Sequence, residues 1–298
     1  MRALFVNAEG NGLVMGDAPP PEPKANQVLI AVSHASLNFG EVNRIRSGAA
    51  KPGTVGGWDA AGTVARAASD GSGPDVGSRV VSFASRGGWG EQRAVATHDV
   101  AIVPEAVDLA TAAALPVAGV AALRALRRSG SLLGRRVLVT GASGGVGRFA
   151  VQMATLAGAY VIAAASRTDG LRELGAREVV ASPDGLDPVD VVIETVGGPT
   201  LVSAWQSLAT GGVLQSIGWA SREPAVFPPY GTVGPAKSIT SFDSGPALGQ
   251  DLSYLLSLIE QGKLTVEIGW RGSWTDIDQA IDALLGRKVA GKAILELD

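Results

Sequence analysis

Six residues, Ala142-Ser143-Gly144-Gly145-Val146-Gly147, fit the spacing G-x-G-x-x-G, with alanine at its first position. The chemistry served by this spacing is the binding of a dinucleotide's phosphates. The missing side chain at Gly144 lets the backbone approach a pyrophosphate, and that at Gly147 lets a helix pack closely on its strand. Four residues of strand character, Val137 to Thr140, run into the turn, and a helix-forming segment, Arg148 to Leu156, leaves it. A glycine-rich run alone is equally an ordinary tight turn. The strand before it and the helix after it are the context that favours a nucleotide. That helix start would offer backbone N–H groups and the positive end of its dipole. Ser143, Gly144, Gly145, Val146 and Gly147 are therefore the first cofactor-binding candidates.

The residue about 20 positions past such a turn separates NAD from NADP, because NAD binding uses an acidic side chain on the ribose hydroxyls. Here that position is Arg167, preceded by Ser166. An arginine and a serine suit a 2′-phosphate through charge-assisted hydrogen bonds, so NADPH is the expected cofactor. The competing reading makes Arg167 a solvated surface residue and gives the acidic role to Asp169. Ligands of open parallel sheets bind at the carboxyl ends of the strands. That rule adds Thr195, Val196 and Gly197 after one strand, Ile217, Gly218 and Trp219 after another, and Phe242 after a third. An aromatic such as Trp219 at a sheet end serves core packing as often as a ligand.

Groups for the reacting side are few. Asn38 follows a strand and could hydrogen-bond a carbonyl oxygen or a cofactor ribose; the alternative is a turn-capping asparagine. Tyr230 lies in the loop Phe227-Pro228-Pro229-Tyr230-Gly231, where a phenol could donate a proton. Tyr160 and Tyr254 read as structural, His34 as a packed or hydrogen-bonded histidine, and His98 as a surface turn residue. Glu41 and Arg46 are expected to form an ion pair that orients the loop after Asn38. The chain has no cysteine, which removes disulfides, thiol nucleophiles and cysteine-based zinc sites. His34 and His98 alone cannot build an imidazole cage, so no metal is expected.

These groups need a scaffold, and the chain of 298 residues, 46% hydrophobic and 18% charged, can bury a sizeable core. A net charge of −3 without a basic run gives no footprint for nucleic acid. The opening MRALFVNAEG is too short an apolar run for a signal-peptide core, and no run spans a bilayer, so a soluble cytoplasmic protein is expected. Residues 1 to about 110 lack helical periodicity and read as short strands separated by Gly and Pro turns. A helical stretch from Asp108, broken at Pro116, leads into regular alternation of strand and helix from Val137 onward, the pattern of a doubly wound parallel sheet. One segment of that series, Thr168 to Leu174, reads as a helix. The final segment, from Thr265, carries a helix and a strand and is too small to stand alone.

The residues that follow Asn38 (Phe39-Gly40-Glu41, then Arg46-Ser47-Gly48) carry a wider resemblance. With Gly57-Trp58-Asp59-Ala60-Ala61-Gly62, Val76-Gly77-Ser78-Arg79-Val80, Gly87-Gly88-Trp89-Gly90-Glu91, Leu115-Pro116, the GASGGVG turn, Leu174-Gly175-Ala176 and Gly291-Lys292, the chain resembles the medium-chain dehydrogenase/reductase superfamily, specifically its zinc-free quinone oxidoreductase branch. The resemblance covers nearly the whole chain. It implies an α/β protein with a GroES-like, β-rich catalytic domain (1–115 and 265–298), a Rossmann NADP-binding domain (116–264) and a substrate cleft between them. It places Asn38 facing the nicotinamide, and it puts the metal ligands of zinc-dependent relatives at Asn38 and Trp58, neither of which binds zinc. Two polar groups common among relatives are missing: a tyrosine near Gly48-Ala49-Ala50 and a threonine at Ala121. A lysine often found shortly after the Arg167 position is also absent. Without a Lewis acid, alcohol oxidation is difficult. The expected reaction is metal-free hydride transfer from NADPH to a quinone, whose oxygen needs only hydrogen bonds as charge develops. The alternatives are an NADPH-dependent enone or enoyl (activated alkene) reductase, or a non-catalytic NADPH-binding sensor or structural protein. The expected partner is a small molecule, not nucleic acid or membrane. Relatives also imply a homodimer formed through the edge strand Lys237–Phe242.

Overall fold

The computed structural model describes residues 1–297. In chain order it contains β1 (Arg2–Val6), β2 (Leu13–Asp17), β3 (Gln27–Leu37), α1 (Phe39–Arg46), β4 (Asp59–Arg66), β5 (Arg79–Phe83), β6 (Gln92–Ala96), β7 (Val100–Ile102), α2 (Leu109–Ala113) and α3 (Pro116–Arg128). These are followed by β8 (Arg136–Thr140), α4 (Gly145–Leu156), β9 (Tyr160–Ala164), β10 (Glu178–Val180), β11 (Val189–Glu194), α5 (Gly198–Gln206), β12 (Leu208–Ser216) and β13 (Ser238–Ser241). The last are α6 (Gly249–Glu260), β14 (Ile268–Ser273), α7 (Ile277–Leu285) and β15 (Lys292–Glu296). Among the described residues no helix is long and apolar enough to cross a membrane.

Two compact units result, one of Met1–Val120 with the chain from Gly245 onward, the other of Ala121–Ser244. The second unit is a six-stranded sheet of order β10-β9-β8-β11-β12-β13, with every neighbouring pair parallel. In order of appearance this is 3-2-1-4-5-6, the doubly wound arrangement, and its direction reverses between β8 and β11. The middles of the central strands are apolar because helices cover parallel sheets on both faces. Val137, Leu138, Val139, Val191, Val192 and Ile193 are all fully buried. The segment Thr168–Leu174, expected as a helix, is instead a series of turns. Asp169-Gly170 is a turn dipeptide, and Gly170 takes a φ of +73°, which leaves too few residues for a helix.

The first unit is a largely antiparallel sheet of order β14-β15-β3-β4-β5-β7, with β6 also pairing with β3 and a separate β1–β2 hairpin. Trp89 and Trp274 are fully buried in its core. β3 runs four residues past the strand Gln27 to Ser33 expected from the sequence, through His34 to Leu37, and so delivers Asn38 directly. β15 returns from the far end of the chain and pairs with β3, Ala293 opposite Leu37. α6 packs with this unit, although residues 116–264 were expected to form the nucleotide-binding domain. An added Cβ at Gly249 would lie 2.7 Å from the Val100 carbonyl oxygen, and the Leu248 amide donates to Asp99 Oδ1 at 3.0 Å.

Candidate active site

In the second unit β8 ends at Thr140 and the chain turns through Gly141, whose φ of +59° favours glycine. An added Cβ there would lie 2.3 Å from Thr195 Oγ1. Gly144 is the N-cap of α4 and no side chain caps the helix. An added Cβ at Gly144 would meet only the Gly141 oxygen, at 3.3 Å, so the space over it is open. At Gly147 it would lie 2.4 Å from that same oxygen and 2.6 Å from Ala142 Cα, so α4 touches the turn there. An uncapped helix start behind an open backbone is the arrangement that a pyrophosphate fits.

Two side chains that the sequence reading passed over brace this turn. Glu194, fully buried, accepts hydrogen bonds from Thr140 Oγ1 (3.0 Å) and from the amides of Val196 (2.8 Å) and Gly197 (3.0 Å). Burial pushes its carboxyl above the usual range, and those three donors oppose the shift. Thr195 donates its hydroxyl to the Thr140 carbonyl at 2.8 Å, so β8 and β11 are clamped where the strand order reverses. The amides of Val196 and Gly197, two of the cofactor-binding candidates, are therefore committed to Glu194. Arg148, buried on α4, donates to the Ser143 carbonyl (3.3 Å) and to the Asp169 carbonyl (3.0 Å). It ties the glycine-rich turn to the loop carrying Ser166, which is exposed, and Arg167, which is half-buried.

The remaining candidates of this unit lie at the ends of β12 and β13. The Ile217 amide donates to the Glu194 carbonyl at 2.8 Å, and an added Cβ at Gly218 would lie 2.9 Å from the Thr195 carbonyl oxygen. The Trp219 ring lies over Gly197, where an added Cβ would come within 2.6 Å of it, and Trp219 Nε1 donates to the Glu223 carbonyl at 2.6 Å. Phe242 lies under the Arg128 guanidinium, 4.7 Å from ring centroid to charge. Tyr230 is 84% exposed at a left-handed φ of +62°, on a loop that Trp205 Nε1 holds through the Gly231 carbonyl at 2.8 Å.

In the first unit Asn38 is the N-cap of α1, but its side chain makes no capping hydrogen bond. It turns inward instead. Asn38 Nδ2 donates to Asp59 Oδ2 at 2.9 Å, and Asn38 Oδ1 accepts from Lys292 Nζ at 2.6 Å. Asp59 also accepts from Ser36 Oγ (2.8 Å) and from the Val117 amide at the start of α3 (3.2 Å). Lys292 Nζ donates to the Leu37 carbonyl at 3.0 Å and lies 3.6 Å from Asp59 Oδ2. Burial lowers the Lys292 ammonium from its ordinary value, against the pull of Asp59 and Glu41.

Glu41 does not pair with Arg46. On α1 residues five apart are about 140° apart around the axis, so the two side chains leave opposite faces. Arg46 reaches Asp278 (3.5 Å) and Asp282 (3.7 Å) on α7, while Glu41 is buried and accepts the Gly57 amide at 2.9 Å. Burial, and after it Asp59, pushes the Glu41 carboxyl up to about 8, and the Gly57 amide, Lys292 and Arg93 pull the other way. Glu41 Oε2 has no hydrogen-bond partner among the described residues.

A zinc ion does not suit this donor set. Zinc takes thiolate, imidazole and carboxylate ligands, usually four. Asn38 and Trp58 stand at the expected ligand positions, the neighbouring carboxylate of Asp59 already faces four donors, and an ammonium occupies the centre of the cluster. Among the described residues no three of His, Cys, Asp and Glu are grouped to hold a metal.

Comparison with known proteins agrees with the fold and extends it. Residues 24–109 match the family model "Alcohol dehydrogenase GroES-like domain" and residues 145–261 match "Zinc-binding dehydrogenase". The human quinone oxidoreductase is 30% identical over 328 aligned positions, covering 100% of this chain and 98% of that protein. A chloroplast envelope quinone oxidoreductase homolog of Arabidopsis thaliana is 29% identical, covering 99% of this chain and 98% of that protein. A mycobacterial protein solved as a complex with NADPH superposes with a TM-score of 0.88 at 25% identity, covering 99% of this chain and 100% of that one. The chain thus belongs to the medium-chain dehydrogenase/reductase superfamily of oxidoreductases, in its quinone oxidoreductase branch.

Proposed function

We propose that this protein is an NADPH-dependent, metal-free reductase of quinones. The observation that carries the reading is the open, uncapped start of α4 behind Gly144, joined by Arg148 to the loop of Ser166 and Arg167. The α4 amides and helix dipole would hold the pyrophosphate. Ser166 and Arg167 would hold the 2′-phosphate by charge-assisted hydrogen bonds. When bound, the reduced nicotinamide supplies a hydride to an electron-poor acceptor. Asn38 would hydrogen-bond the acceptor's oxygen as negative charge grows on it, and solvent would supply the proton, which a quinone tolerates without a tuned acid. The donor set around Asp59 and Lys292 supports a reaction without zinc, and the human and Arabidopsis relatives support a quinone as acceptor.

The test is steady-state NADPH oxidation against a panel of quinones and enones. Turnover with enones alone would replace the acceptor class, and tight NADPH binding with no turnover would replace the enzyme by a sensor. Arg167→Ala is expected to raise the Kd for NADPH about tenfold and leave NADH binding unchanged, the loss of one hydrogen bond to a charged group. An equal response to both cofactors in a fluorescence titration would remove the argument for NADPH. The edge strand β13, whose four residues are all exposed, supports a homodimer. Light scattering should then report twice the 30.2 kDa of the chain.

A further inference from the structure

The sequence leaves open whether Asn38 meets its ligand through its oxygen or through its nitrogen. A carboxamide can exchange the two by a half-turn about its last bond. Here charge decides the orientation. The ammonium of Lys292 faces Oδ1 at 2.6 Å and the carboxylate of Asp59 faces Nδ2 at 2.9 Å. The reversed orientation would set N–H groups against an ammonium and a carbonyl against a carboxylate, two repulsive contacts in a buried setting where charges are weakly screened. Asn38, Asp59 and Lys292 are 6%, 0% and 4% exposed.

The atoms around Asn38 are nearly all committed. Two Lys292 hydrogens go to the Leu37 carbonyl and Asn38 Oδ1, and the third faces Asp59 Oδ2 at 3.6 Å. Asp59 holds Ser36 Oγ and Asn38 Nδ2 on one oxygen and the Val117 amide on the other. What remain are the second hydrogen of Asn38 Nδ2 and one lone pair of Oδ1, and the lone pair already sits beside the Lys292 ammonium. A cation on the amide oxygen also polarises the amide and strengthens that N–H as a donor. Three buried charged groups, Asp59, Lys292 and Arg93, are a poor way to gain stability, since apolar side chains of similar size would serve as well or better.

We propose that Lys292 and Asp59 are positioning residues that lock the Asn38 carboxamide so that it meets its ligand as an N–H donor. The lock selects an acceptor bearing a carbonyl or quinone oxygen over one offering a hydroxyl hydrogen. The part concerning the acceptor rests on the proposed role of Asn38 above. The orientation itself does not.

The test is a double-mutant cycle on the full-length protein with saturating NADPH and 1,4-benzoquinone, combined with NMR of the Asn38 side-chain amide. Lys292→Met is expected to lower kcat by about 100-fold, as removal of an aligned oxyanion donor does, with the KM for NADPH unchanged. In the Asn38→Ala background the same substitution should have no further effect on kcat, because Lys292 acts through Asn38. Lys292→Arg, which keeps the charge, should restore most of kcat. An equal fall in both backgrounds, or a change in Tm alone, overturns the proposal. Wild-type protein should show a widely split, slowly exchanging Asn38 NH2 pair that collapses in Lys292→Met. If that pair persists unchanged, the lock is overturned while the Asn38 reading stands. An Asn38→Ala enzyme as active as wild type overturns the Asn38 reading instead. Should Lys292→Met fail to fold, the isosteric Asp59→Asn reads the same coupling from the other side of the amide.

Discussion

Replacing Gly147 by valine is expected to abolish measurable dinucleotide binding and to destabilise the second unit by about 1–3 kcal/mol or more. An added Cβ at Gly147 would lie 2.4 Å from the Gly141 carbonyl oxygen and 2.6 Å from Ala142 Cα, distances that real Cβ atoms do not adopt. Both obstacles are backbone, so no side chain can rotate away. α4 must lift off the turn, and its amides then lose their aim. Gly144→Ala makes the complementary prediction. Its φ of −85° suits alanine and its Cβ would meet only one oxygen, at 3.3 Å, so the fold should be kept. If the pyrophosphate lies over Gly144, that methyl group occupies its place, and the Kd for NADPH should rise at least about tenfold at unchanged Tm. Calorimetric titration with a thermal melt separates the two effects. Undiminished affinity in Gly144→Ala would mean that the phosphates do not rest on this turn.

How much of this could be read from the sequence depends on how far apart the interacting residues lie. The glycine-rich turn is local: strand, glycines and helix occupy a dozen neighbouring residues, and periodicity with turn chemistry reports such units well. Asn38 stands out as a candidate in the sequence because it follows a strand. Its partners do not, since Lys292 lies 254 residues away and arrives only because β15 pairs with β3. The signal that could have found it is a lysine opening the apolar strand Ala293-Ile294-Leu295, where an ionisable residue needs a buried partner. Asp59, at the head of the buried run Ala60-Ala61, carries the same signal. Glu194 was hidden for another reason: a carboxylate at a strand end reads as exposed until the amides of Val196 and Gly197 are seen folding back onto it. The supposed Glu41–Arg46 pair failed on geometry already available in the sequence, because five-residue spacing on a helix does not bring side chains together.

Glu41 gives the second large effect, on stability as a function of pH. Its carboxyl is held at about 8 in the folded protein against 4.5 when exposed, so the folded state binds the extra proton between those values. Stability contributed by this proton is fully present below pH 4.5 and falls as pH rises through 8. At about 1.4 kcal/mol per pH unit the total is on the order of a few kcal/mol. Asp59 reinforces the shift, while Lys292, Arg93 and the Gly57 amide reduce it. Arg93, lowered to about 10 by burial, stays a cation across this range; burial lowers Lys292 as well, so the comparison with Glu41→Gln is what isolates the Glu41 share of the slope. Glu41→Gln keeps an acceptor for the Gly57 amide and places an N–H group where Oε2 has no partner. Urea unfolding of wild type should show a midpoint that falls from pH 5 to about pH 8 and then levels off, and Glu41→Gln should flatten that fall by the same few kcal/mol. The variant should be the more stable protein above pH 8. Parallel curves for the two proteins would place the Glu41 proton outside the folded-state balance and return the carboxylate to its ionised form beside Lys292.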